Sequence, residues 1–363
     1  TDTTAAEGVP ETGAVPGEES QAPPEDGENP TIRVAIYGAD YGSLYQDTVQ
    51  VSSAEDFTVS WSGGEEQMAG DTVLTLTPED AWFASGSVWV RGEGLQILSS
   101  HRECGYPDYP GELEIILTEG KLGVVNQLSL EEYLCRVVPG EMPSSYGLEA
   151  LKVQAVCARS YAWCRMQGYG IPELRAHVDD STNYQVYNNQ ASGEKTDQAV
   201  WDTAGQVLNY QGQTITAYYY STSCGSSTDT SVWQSDPAEY PYCPAACLNV
   251  DRDTPDLTDE AAFRQFIDEN TDSFDSGDGF YRWQITLGKD SLTQSINGYL
   301  ENHGMASIGE VAVLEVTGRS AGGVIRELTV TGSQGRAVLE RQSAVREALG
   351  SEGMEIEQHT GYV

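Results

Sequence analysis

Hydrophobic and polar residues first fall into a regular pattern at Thr31. Ile32-Arg33-Val34-Ala35-Ile36 alternates with the period of two expected of a strand. Thr72–Leu76 and Gly86–Val90 follow, separated by glycine-rich breaks. Leu113–Leu117 and Lys121–Asn126 are two further runs. Glu119-Gly120 between them predicts a tight hairpin. At Ser129 the period lengthens. Ser129 with Glu132 three residues on reads as a capping box, and Leu130, Leu134 and Val137 make one helical stripe. Pro139 is expected to stop this helix. A second helix follows Pro143, its face marked by Leu148, Leu151, Ala155, Ala158 and Ala162 at spacings of three and four. Glu141 then sits at the centre of a short turn bracketed by Pro139 and Pro143.

Beyond Gly168 the chain returns to loops and strands. Gln206–Tyr210 and Gln213–Ser221 read as a hairpin turned at Gln211-Gly212. A helix over Asp259–Asp268, strands over Gly279–Leu287, Val311–Val316 and Val324–Val330, and a helix over Ser343–Leu349 complete the prediction. Helices mixed with mostly antiparallel strands predict an α+β fold: a helical core with a small β-rich N-terminal unit. At roughly 150 residues per domain, 363 residues predict two folded units. The expected boundaries are an acidic linker over 1–30, a β-rich domain over 31–110, and a third region over 111–363.

Composition narrows the function. Lys and Arg number 19 against 56 Asp and Glu, a formal charge of −37. Such a surface repels a phosphate backbone and an anionic lipid face, so neither nucleic acid nor an anionic membrane surface is an expected partner. No run of about 18 or more apolar residues predicts a membrane span. Residues 1–30 hold eight acids and five prolines, with no Lys or Arg. They read as an extended, self-repelling linker. The chain begins at Thr1, so a signal peptide or anchor upstream, with the linker as tether, is the expectation.

Seven cysteines are an odd number. Cys157 and Cys164 lie two helical turns apart, about 10 Å, too far to bridge. Cys224, Cys243 and Cys247 lie in a loop-rich stretch and are the better disulfide candidates. A zinc site from His177 and these three cysteines is conceivable on ligand chemistry, but disulfides or free thiols are the expectation, and no metal is assigned. Cys224 beside Ser223 and Gly225 has the look of a nucleophile loop, and one of the four histidines (101, 177, 303, 359) could by chance be its base, but a Cys-His enzyme is not the expectation.

Glu141 is the first candidate for chemistry. A carboxyl held near an apolar helix entrance stays protonated to higher pH and can act as an acid. The plainer alternative is a surface turn glutamate. Lys152 and Arg159, seven apart on the following helix, are candidate anion binders or a solvated helix face.

Three blocks decide between these readings: Asn126–Leu134, Val137-Val138-Pro139-Gly140-Glu141-Met142-Pro143, and Glu149–Ala162. Together with Ser181–Tyr187, Ala204–Leu208 and Ala217–Gly225 they resemble the stage II sporulation protein D family (SpoIID/LytB-like) over about residues 111–350. The resemblance implies a lytic transglycosylase acting on peptidoglycan glycan strands, stripped of stem peptides in sporulating bacteria, with Glu141 as the motif glutamate. It implies cleavage of the MurNAc-GlcNAc bond to 1,6-anhydro-MurNAc ends, with Glu141 first acid and then base. Lys152, Gln154, Arg159, Tyr161, Gln185, Tyr187, Tyr220 and Ser221 are the expected substrate-binding residues. Lys152 and Arg159 would supply the local basic patch that a protein of charge −37 needs for an acidic glycan. No cofactor is expected: where some family members carry a zinc-binding Cys and His-Cys pair, this chain has Val178, Asn183 and Tyr184. The GHGxGMSQxGA-type segment that usually ends the family is not found before Val363. The implied setting is extracytoplasmic and cell-wall associated. The implied partners are glycan strands and a cell-wall amidase or other sporulation wall hydrolase. A non-catalytic stimulator of an N-acetylmuramoyl-L-alanine amidase is the alternative function.

Overall fold

The computed structural model describes residues 29–350 except 234, 251, 252, 254, 270 and 271. The expected acidic leader therefore lies outside the described residues, save 29 and 30. Helices and mostly antiparallel sheets give the predicted α+β class. Two units divide between Tyr219 and Tyr220.

The N-terminal unit is built on an eight-stranded sheet. Its order is Val178–Asp179, Thr31–Ile36, Lys121–Ser129, Glu112–Thr118, Val88–Arg91, Phe57–Trp61 and Gly64–Met68, with Tyr45–Gln46 paired beside Lys121–Ser129. The Glu112–Thr118 strand pairs with Val88–Arg91 on one side and Lys121–Ser129 on the other. The sheet is thus continuous across residue 110, where the strand pattern placed a boundary. Val49–Ser52, Leu74–Leu76, Leu95–Ile97 and Asp108–Tyr109 form a second sheet of four strands. The predicted hairpin turns at Glu119 and Gly120, both at positive φ.

Lys121–Ser129 is the spine of this unit. Its apolar run is buried on both faces: Leu122, Val124 and Leu128 join the main core, while Val125 packs with Ala35, Leu174 and Ala176. The strand runs directly into helix α1 (Leu130–Glu141), and the Ser129 hydroxyl accepts from the Glu132 amide as the capping box requires. Helix α2 (Leu148–Arg165) buries Leu151, Ala155, Ala158 and Ala162 as its small-residue stripe predicts.

One sequence expectation fails here. Pro139 does not end α1, which runs on to Glu141. A proline in the last turn removes only its own bond to the carbonyl four residues back, and the Met142 amide still bonds the Val138 carbonyl at 3.0 Å. Glu141 is therefore the last residue of a helix rather than the middle of a turn.

The helices are joined by a buried ion pair. Glu131 in the first turn of α1 takes Nε and Nη2 of Arg159 on α2 at 2.8 and 2.6 Å. Glu131 is 6% and Arg159 1% exposed. Arg159 also donates to the carbonyl of Val200 on helix α3 (Glu194–Asp202) and to that of Gln206, while the Gly205 amide donates to Glu131.

The second unit holds helix α4 (Glu260–Asp268), capped by Asp259, helix α5 (Lys289–Asn302), a meander of Val311–Arg319, Ile325–Gly332 and Arg336–Glu340, and helix α6 (Gln342–Leu349). Ile296 and Leu300 of α5 and Val345 and Ala348 of α6 share a core with the meander. Gly279–Leu287 forms no strand: its pairing does not extend beyond an isolated bridge at Gln284. No disulfide joins the described cysteines.

Breaking the Glu131–Arg159 pair from one side leaves a buried charge uncompensated. Arg159→Met is expected to cost about 3–5 kcal/mol in denaturant unfolding. The double change Glu131→Leu with Arg159→Met should cost less than Arg159→Met alone. A single-variant loss below about 1 kcal/mol contradicts the pair's role.

Candidate active site

Glu141 is presented by the C-terminal end of α1. Its Oε1 accepts the Val186 amide at 3.0 Å, which ties α1 to the Asp180–Asn188 segment. Gly140 makes this approach possible, because a Cβ there would stand 3.3 Å from the Val186 carbonyl oxygen and 3.4 Å from its side chain. The Tyr219 hydroxyl is the second hydrogen-bond partner of the carboxyl. Burial raises the Glu141 pKa above the ordinary glutamate value, and the bonds from Val186 and Tyr219, which stabilise the carboxylate, oppose that rise.

The direction of the Tyr219 bond follows from its neighbour. Gln185 Nε2 donates to the Ala158 carbonyl on α2 at 3.3 Å and to Tyr219 Oη at 3.0 Å. A carbonyl can only accept, so the amide nitrogen must face α2 and Tyr219. Gln185 Oε1 correspondingly takes the Tyr133 hydroxyl at 3.3 Å. With a donor already on its oxygen, Tyr219 turns its own proton to Glu141. The result is a relay of Tyr133, Gln185, Tyr219 and Glu141 within one unit.

The sequence-predicted residues divide around this centre. Gln185 belongs to it, though through Tyr219. Tyr187 does not face a groove: it is fully buried, stacked on Tyr133 at 5.2 Å, with its hydroxyl donated to Asn126 Oδ1 at 2.6 Å. Arg159 is taken up by Glu131 and backbone carbonyls, which removes it as a ligand-binding cation. Lys152 lies about 120° around α2 from Ala158 at 3.6 residues per turn. It pairs with Glu149 at 3.2 Å and Asp202 at 3.0 Å, on a shallow groove of about 400 Å³ that also holds Val153, Val156 and Cys157. That face is turned away from Gln185. Gln154 and Tyr161 do lie on the Ala158 face. Both are buried, and Gln154 Nε2 has no hydrogen-bond partner among the described residues. Tyr220 and Ser221 are exposed at the start of the second unit.

Tyr219 was not singled out from sequence. It is the middle of Tyr218-Tyr219-Tyr220, and three successive tyrosines in a stretch without regular structure give no period to choose between them. His177 is neutral in the fold: burial, then the nearby Arg33 charge, pulls its pKa down to about 4. Its Nδ1 accepts the Arg33 backbone amide at 3.1 Å and its ring stacks on Tyr169. Among the described residues no group of three His, Cys, Asp or Glu side chains could hold a metal ion. Cys224 is buried, its thiol donates to the Ser226 carbonyl, and burial raises its pKa, so it has the character of an inert thiol.

Comparison with known proteins places these residues. The stage II sporulation protein family (SpoIID) matches residues 118–210, and a domain of unknown function (DUF8618) matches 228–355. The chain is 44% identical over 101 residues to an amidase enhancer of Bacillus subtilis, covering 27% of this chain and 13% of that protein. It is 34% identical over 131 residues to stage II sporulation protein D of the same organism, covering 32% and 38%. An uncharacterized protein of Brachyspira hyodysenteriae is 39% identical over 124 residues, 34% and 33% of the two chains. The chain thus spans less than two fifths of the length of each of these relatives. The α1–α2 segment that carries Glu141 lies wholly inside residues 118–210, the part of the chain that matches the SpoIID family and is similar to stage II sporulation protein D.

Proposed function

We propose that this protein is a lytic transglycosylase that cleaves peptidoglycan glycan strands with Glu141 as its single acid-base group. A role at the cell wall is supported by the SpoIID family and the amidase-enhancer relative. The finer reading rests on one observation: a part-buried carboxyl, raised in pKa and clamped by an amide and a phenol. Among the described residues, the hydrogen bonds that act on it come from the Val186 amide and the Tyr219 hydroxyl. Hydrolysis by the usual routes needs two carboxylates, one as acid and one to activate water or bond the sugar. A single group serves when the substrate supplies its own nucleophile. Protonated Glu141 gives its proton to the glycosidic oxygen as the bond to MurNAc C1 breaks. The resulting carboxylate takes the proton of that sugar's C6 hydroxyl as O6 closes onto C1. The product is a 1,6-anhydro end, and Glu141 is protonated again. Tyr219 and the Val186 amide hold the carboxylate through the interval when it is charged.

The chain's likeness to an amidase enhancer favours a second reading, stimulation of a wall amidase without cleavage. Among the described residues no helix is long and apolar enough to cross a membrane, and an extracytoplasmic setting belongs to the same proposal.

The test is mass analysis of peptide-free glycan strands after incubation with the protein. Anhydro-ended fragments are expected, lost by at least about 1,000-fold in Glu141→Gln and reduced less than about twofold in Lys152→Ala. Intact strands together with faster amidase turnover would replace the enzyme reading with the stimulator.

Tyr219→Phe removes a bond that stabilises the carboxylate, so the Glu141 pKa should rise further. An acid catalyst loses activity as pH rises through its pKa. The high-pH limb of the rate profile should therefore move upward, by about one unit for a hydrogen bond to a charged group. A limb that stays in place or moves down contradicts the assignment.

A further inference from the structure

Neither Lys152 nor Arg159 is placed to meet an acidic sugar, yet α2 carries another cation on the face that Gln185 touches. Arg165 follows Ala158 by seven residues. That is within about 20° of two full turns and about 10 Å along the axis, so it lies on the face that Gln185 touches. Tyr161 stands between them, one turn before Arg165, and electrostatically coupled to Tyr219. The Arg165 guanidinium lies 4.8 Å from the centre of the Tyr161 ring and 6.0 Å from that of Tyr184, and it hydrogen-bonds the Tyr161 hydroxyl. Tyr218 lies against Tyr161, ring centres 6.4 Å apart at 71°, and is 45% exposed. Asp179 acts electrostatically on Tyr161 and Tyr184, and its carboxylate accepts from Ser181 and Asn183.

We propose that Arg165, framed by Tyr161, Tyr184 and Tyr218, is a subsite for a carboxylate-bearing sugar of the strand. Three features point to that ligand. Phenol rings flanking a guanidinium use its face, while its five N–H donors lie in its plane, where a carboxylate binds in the two-pronged geometry that arginine favours. Exposed Tyr218 offers a ring of the kind that stacks on a pyranose. The subsite also supplies a local positive charge in a chain of net charge −37, the one attraction an acidic strand needs from such a protein. Muramic acid, a hexose with a lactyl carboxylate, has this chemistry; N-acetylglucosamine lacks the charge. The inference rests on the glycan-strand reading above and names the sugar that the groove selects.

Binding separates the inference from the reading, because it needs no turnover. The full chain is titrated with a peptide-free MurNAc-GlcNAc tetrasaccharide and with neutral chitotetraose, following 15N-detected shifts and calorimetric affinity. The wild-type chain should prefer the acidic tetrasaccharide. Arg165→Met should weaken it about tenfold or more and leave chitotetraose within about twofold; Arg165→Lys should recover part of the loss. Tyr218→Ala, an exposed change that leaves the helix core intact, should weaken both oligomers alike. Equal weakening of both oligomers by Arg165→Met, no preference in the wild-type chain, or binding of neither overturns the subsite. Preference lost in Arg165→Met without any strand cleavage by the wild-type chain would retain the subsite and sink the transglycosylase. Cleavage indifferent to Arg165 would do the reverse.

Discussion

Everything around Glu141 depends on where α1 and α2 stand, and that is set by the buried Glu131–Arg159 pair. A carboxylate and a guanidinium withdrawn from water are costly unless their remaining bonds are met. Here they are met by Gly205, Val200 and Gln206, which brings α3 and the segment after it into the same junction. The pair fixes the start of α1; Ser129 caps it; the strand Lys121–Ser129 anchors it in the sheet. Glu141 is then delivered three turns later at the other end of the same helix. The carboxyl proposed to carry the chemistry sits at a helix end, and its position is set by a junction buried three turns away.

The site itself is an exercise in hydrogen-bond direction. A fixed carbonyl on α2 decides which way Gln185 faces, Gln185 decides which way Tyr219 donates, and Tyr219 decides how readily Glu141 holds a charge. None of these residues needs to touch a substrate for the carboxyl to be tuned. Burial favours the protonated form that an acid requires, and the Val186 amide and Tyr219 favour the charged form that a base requires. A group proposed to be both in one cycle is served by that balance.

Much of this was legible in the sequence. The capping box at Ser129, the hairpin at Glu119-Gly120 and the small-residue stripe of α2 are local signals, and each lies where its spacing put it. Glu141 stood out through the family resemblance rather than through its spacing, which put it in a turn instead of at the end of α1. What escaped depended on tertiary placement. Arg159 reads as a helix-surface cation until α1 and α3 are packed around it, and Lys152 as its partner until α2 is turned. α3 opens with Glu194 and Lys195 and shows too little apolar period to announce itself. Gly279–Leu287 alternates like a strand but pairs only through an isolated bridge at Gln284. Arg165 had a signal that went unused, the heptad step from Ala158. Tyr219 had none, because its importance lies in a bond to Gln185 that sequence spacing does not encode.

The central claim is that one carboxyl suffices because the sugar's own hydroxyl closes the ring. Cleavage of peptide-free strands in water enriched in oxygen-18, followed by mass spectrometry of the new ends, tests it most directly. An intramolecular closure incorporates no solvent oxygen, so the new muramoyl ends should carry none of the label. A labelled oxygen at C1 of those ends would mean that water attacks there, and would contradict the account.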